Sequence, residues 1–138
     1  MLSRVFRAIL FGVVLASLGG MTPEQLKRRT KTFAVDIVKF AASLPKDSVT
    51  SVLARQLVKS GTAVGANYRS SCRAKSRADF VSKLTTAEEE ADETQYWLEL
   101  LLEASVVSRA AVDKLIDESE QLVRIFVASI KTARGFSR

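Results

Sequence analysis

Across residues 23–44, apolar side chains return at helical spacing. Leu26, Phe33, Ile37, Phe40 and Leu44 form a stripe that Ala34 and Ala41 widen, predicting an amphipathic helix. Thr22 suits its N-cap, Pro23 the first helical position and Gln25 the far side of a capping box, while Pro45 stops it. A second stripe, Leu53, Leu57, Gly61, Val64 and Tyr68, predicts a helix from Asp47 or Ser48 to about Cys72. The third opens at Ser76 with Asp79 three residues on, and its seam alternates steps of four and three through Phe80, Leu84, Ala87, Ala91, Thr94, Leu98 and Leu101. A fourth, from about Ser108 to Ala133, turns Val112, Leu115, Ser119, Leu122, Phe126 and Ile130 inward. No segment sustains a period of two, and short connections make neighbours antiparallel. The expected fold is all-α, an antiparallel up-down four-helix bundle.

Gly61 and Gly65 each cost about 1 kcal/mol of helix propensity relative to alanine, so close helix packing is the expected compensation. No Gly-Lys-Ser/Thr follows them, which argues against a phosphate loop.

Composition narrows the function classes. With 138 residues and 47% hydrophobic content, one domain has enough apolar surface for a core. The chain has no histidine, which removes the commonest general base, the commonest metal ligand and every Ser-His or Cys-His pair. Cys72 is the single cysteine, so neither an internal disulfide nor a thiolate zinc site can form, and it is read as packing filler. No residues remain to carry catalysis. The protein is expected to be non-enzymatic, without cofactor or metal, in a reducing, cytoplasmic setting.

Residues 1–20 stand apart. Arg4 and Arg7 precede an apolar run over residues 8–18, followed by Gly19 and Gly20. This is an apolar N-terminal extension to a bundle domain at 21–138. An upstream translation start, a signal peptide and an extra helix all fit it. The run is shorter than the roughly 20 residues a spanning helix needs, so a membrane partner is not expected.

Net charge is +6, which favours polyanionic partners, and its distribution is more informative than its sum. Arg55, Lys59, Arg69 and Arg73 share a row on the second helix, Lys75 and Arg77 extend it, and Lys27, Arg28, Arg29, Lys31 and Lys39 make the first helix basic. The third helix is the reverse: Glu89, Asp92, Glu99 and Glu103 share a row opposite its apolar seam. Each row alone reads as a solvated helix face. Together they suggest an oligomer interface in which Arg55 and Lys59 of one subunit meet Glu89, Asp92, Glu99 and Glu103 of the next.

The strings Gln56-Leu-Val-Lys-Ser-Gly-Thr-Ala-Val-Gly-Ala-Asn-Tyr-Arg69, Arg73-Ala-Lys-Ser-Arg-Ala-Asp-Phe80 and Ala91-Asp-Glu-Thr-Gln-Tyr-Trp-Leu-Glu-Leu100, with Leu44-Pro45-Lys46-Asp47, resemble the 23S rRNA intervening-sequence proteins. The resemblance covers about residues 26–130 and leaves the first twenty outside. It implies an antiparallel bundle assembling as a homopentameric barrel. It also implies kinship with accessory proteins of diversity-generating retroelements, which bind nucleic acid and a reverse transcriptase. Asn67 or Gln56 is expected to hydrogen-bond the third helix and set register.

The leading functional expectation is sequence-nonspecific nucleic-acid binding, RNA or DNA, through phosphate contacts from Arg28, Arg29, Lys31, Arg69, Arg73, Lys75 and Arg77. The alternative is a protein-interaction scaffold whose charged faces serve oligomerisation or partner docking.

Overall fold

A computed structural model describes residues 20–135. The readings of residues 1–20 fall, Gly20 apart, outside these. Thr22 opens helix α1 (Pro23–Ala42) with both capping-box bonds: its hydroxyl accepts from the Gln25 N–H at 3.1 Å, and its own N–H donates to the Gln25 side chain at 2.8 Å. The helix ends before Pro45, with Ser43 as C-cap and Leu44 buried. Asp47 caps α2 (Ser48–Ser71) by accepting from the Thr50 N–H, and Ser76 caps α3 (Arg77–Glu103) by accepting from Asp79. Helix α4 follows (Arg109–Gly135).

The turn from α3 to α4 closes in a Schellman geometry. Val106 donates to the Leu101 carbonyl and Ser105 to that of Leu102, both at 3.0 Å, while Val106 packs against the core. Ser105 holds φ at +60°, the left-handed region where a side chain is strained. Ser105→Gly is therefore expected to raise stability by about 1 kcal/mol, read as a higher urea midpoint with unchanged slope.

All seven residues of the predicted α3 seam are buried, from Phe80 to Leu101. They meet Leu26, Phe33 and Ile37 of α1, Leu57 and Val64 of α2, and Leu122 and Phe126 of α4 in one core. Tyr68 on α2 reaches Phe126 on α4, with ring centroids 5.9 Å apart. Each helix packs along its neighbour in sequence, whereas α1 and α4 touch only lightly. The outcome is an all-α four-helix bundle, without strands among the described residues.

Helices α1 and α2 approach closely at the two glycines. A Cβ on Gly61 would lie 2.7 Å from Ile37 Cγ2, and one on Gly65 would lie 3.3 Å from the backbone of Thr30. The polar register pair differs from expectation. Asn67 donates to the Ala63 carbonyl of its own helix, while Thr94 on α3 donates to the Ser60 hydroxyl on α2 at 2.9 Å in the buried core. Ser60 lies on the buried face of α2, whereas Asn67 lies beside that face.

Candidate nucleic-acid interface

The capping that starts α1 and the glycines that draw α2 against it create a groove along their outer face. Lys27, Arg28 and Lys31 line one side, Arg69 and Arg73 the other, and Ala34, Gly65 and Ala66 contribute small side chains. Its volume is about 410 Å³. On α1, Lys27 and Arg28 stand four and three residues before Lys31, so these charges lie one turn apart, while Arg69 on the last turn of α2 and Arg73 just past its C-cap face them. Arg28, Lys31, Arg69 and Arg73 are exposed. Glu24 sits at one end and pairs with Lys27 at 3.0 Å, a surface contact of little energetic weight.

Three predicted phosphate contacts lie elsewhere. The Arg29 guanidinium is half-buried and forks onto Glu118 of α4, Nε to Oε2 at 2.8 Å and Nη2 to Oε1 at 2.7 Å, with Gln121 accepting a third bond at 2.8 Å. Bonding to Glu118 raises its pKa, so the charge is fixed and joins two helices that otherwise touch only lightly. Lys75 is exposed on the turn before α3, its N–H held by Asp79. Arg77 lines a separate hollow between α3 and α4, with Ser82, Thr85 and Arg134. Lys27, absent from the predicted set, belongs to the groove. Its four-residue spacing from Lys31 was the signal for it.

Arg55 and Lys59 occupy the other end of the α1/α2 face, beside Val38 and Val58. Along α3, Glu89, Asp92 and Glu103 are exposed and Glu99 is partly so; none lies within ion-pair distance of a cation among the described residues. No three metal-ligating side chains converge there.

Crowding on α3 leaves a titration signature. Partial burial, then Asp92 and Glu89, pushes the Glu88 pKa up from its usual 4.5; partial burial and Glu93 do the same for Glu90, against an opposing pull from Lys59. Groups with raised folded pKa values stabilise the fold below their unfolded values, and that contribution is lost as pH rises through the folded ones. Asp47 has the opposite sign: its bonds to the Thr50 N–H depress it below 3.8, so its contribution is lost only as pH falls through that lower value. With no histidine in the chain, the thermal midpoint at constant ionic strength is expected to rise as pH falls from 7 toward the usual glutamate value of 4.5. Glu88→Gln/Glu90→Gln should flatten that rise, and a midpoint constant over this window in the parent chain would contradict the assignment.

No described helix is long and apolar enough to cross a membrane. Cys72 is buried, and burial pushes its thiol pKa up, consistent with an unreactive packing role.

Comparison with known proteins places this geometry in context. No curated protein sequence matches the chain. A crystal structure of a protein of unknown function from the S23 ribosomal protein family of Bacteroides thetaiotaomicron is similar, at 36% identity and a TM-score of 0.74, over 79% of this chain and 97% of that one. Residues 24–128 match the family described as 23S rRNA-intervening sequence protein. A bundle, a matched span covering most of the four helices and a similar solved structure all agree, and the chain belongs to the 23S rRNA-intervening sequence protein family.

Proposed function

We propose that the protein is a non-enzymatic, nucleic-acid-binding helical bundle whose α1/α2 groove grips the phosphate backbone. The observation that carries this reading is the gathering of Lys27, Arg28, Lys31, Arg69 and Arg73 around one groove from two stretches of chain some forty residues apart. Small side chains between the cations let a backbone approach. No aromatic lines the groove, so bases are not stacked and binding is indifferent to sequence. The family description names the intervening sequence of 23S rRNA, which makes RNA the first ligand to test. The resemblance in the α2 and α3 strings supports two further parts of the proposal, a homopentameric assembly and a reverse transcriptase as a protein partner.

The test is salt dependence. With four or five phosphates neutralised, the logarithm of affinity should fall against the logarithm of salt with a slope of about −4 on duplex, and equally for unrelated sequences. Undiminished binding at several hundred millimolar salt would contradict the mechanism.

A protein-interaction scaffold is the second reading, favoured by the unpaired carboxylates of α3. Arg69→Glu/Arg73→Glu beside Arg55→Glu/Lys59→Glu discriminates: RNA binding retained by the first pair and the oligomer lost in the second supports the scaffold, and RNA binding lost in the first with the oligomer intact supports the groove.

A further inference from the structure

The outer face of α1 and α2 changes character along its length. Beyond the cationic groove it becomes apolar, around a hollow of about 700 Å³ to which Val38, Leu44, Ala54 and Val58 contribute. Val38 is exposed, as are Val35, Val49 at 70% and Val52 at 54%. Val35 lies three residues from Val38, and Val52 three from Arg55 on the hollow's wall, so each is one helical turn from it. Single exposed valines are ordinary surface, but several on two adjacent helices around one hollow form a patch suited to a partner. Arg55 and Lys59 stand on its rim without an ion pair among the described residues.

Helix α3 carries the complement. Glu89, Asp92, Tyr96, Glu99 and Glu103 follow in steps of three, four, three and four, which aligns them on one stripe with the aromatic at its centre. Tyr96 is 56% exposed and rests edge-on against Trp97, ring centroids 5.0 Å apart. The stripe runs about 21 Å along a continuous helix. None of its carboxylates, and neither Arg55 nor Lys59, forms an ion pair among the described residues, and the one carboxylate that Lys59 acts on within the chain is Glu90, off this stripe.

We propose that the Tyr96 stripe of one copy docks on the valine hollow of a second copy, Tyr96 entering the apolar patch and the flanking carboxylates meeting Arg55 and Lys59. Both halves of the match are present on one chain, in charge and in apolar content, which selects a second copy as the occupant. Tyrosine suits the centre of such a contact, being large, apolar in body and low in entropy cost. The two faces differ, so the contact is heterologous and every subunit uses one of each. This inference deepens the assembly part of the reading above and does not depend on the nucleic-acid part.

Light scattering after size exclusion of the full chain, with two reversed variants, tests it. Arg55→Glu/Lys59→Glu and Asp92→Lys/Glu99→Lys are each expected to run at the monomer mass of 15.1 kDa while the parent chain runs at a multiple of it. Mixed in equal amounts, they should leave the monomer mass and form mixed oligomers, because each contact between unlike variants pairs either two native faces or two reversed ones; a ring of five cannot alternate throughout, so the recovered mass need not equal the parent's. Far-UV circular dichroism of each variant should match the parent. A multimeric parent whose mass neither variant changes, or a mixture that remains monomeric, overturns this interface while leaving assembly by another surface intact. A monomeric parent overturns the interface and the assembly reading together, and RNA affinity measured on the same samples reports separately on the groove.

Discussion

Lys31→Glu/Arg69→Glu/Arg73→Glu is expected to lower RNA affinity about a thousandfold at 0.1 M salt. Each phosphate contact releases close to one condensed counterion, worth roughly tenfold at that salt concentration, and three are removed. Reversal also sets three carboxylates against the backbone, so the loss is larger than for alanine. The triple alanine variant should instead flatten the salt slope by about three. These side chains are exposed and outside the ion pairs among the described residues, so the thermal midpoint should hardly move. Fluorescence anisotropy with duplex and single-stranded RNA, beside a thermal melt, checks both halves. Unchanged affinity in a folded variant would sink the groove. Arg29→Ala provides the contrast: it breaks the fork onto Glu118 and Gln121, so stability should fall while the salt slope stays near its parent value.

Gly61→Val should be the most damaging small substitution in the bundle, at about 3 kcal/mol or more. An added Cβ would meet Ile37 Cγ2 at 2.7 Å, Cγ1 at 3.0 Å and Cβ at 3.1 Å. Ile37 is fully buried and β-branched, with essentially one χ1 rotamer in a helix, so it cannot swing aside. Helix α1 must then move away, at the 1–3 kcal/mol typical of overpacking. Gly61→Ala gains about 1 kcal/mol of helix propensity against that, so its net cost should be smaller, near 1 kcal/mol, and valine adds two further methyls to the clash. Urea unfolding of Gly61→Ala, Ile37→Val and the double variant should be non-additive, the double being less destabilised than the sum. Additive costs would show that the two side chains do not compete for the same space. Parting α1 from α2 would also widen the groove, since Gly65 lies on its wall.

Much of the fold was legible before any tertiary contact. The α3 seam, the Thr22 capping box, the Asp47 and Ser76 caps and the glycine-mediated approach are local or periodic features, and each recurs in the structure where its residues predict it. Side chains three or four residues apart on a helix must be neighbours, and caps need only the next turn. The candidate site was legible in part: Arg28, Lys31, Arg69 and Arg73 converge, whereas Arg29, Lys75 and Arg77 do not. A run of adjacent cations such as Lys27, Arg28 and Arg29 fans around the helix, so neighbours in sequence face different surroundings.

The sequence by itself determined the four helices of the bundle, their inner faces, the acidic character of α3 and the basic character of α1 and α2. Only the tertiary structure decided which cation meets which partner. Arg29 is neutralised by a carboxylate 89 residues away, and Ser60 rather than Asn67 meets α3. Helical periodicity repeats within five residues and so is written locally. Pairing across the bundle depends on the rotation and offset of each helix against the others, which the whole core sets at once.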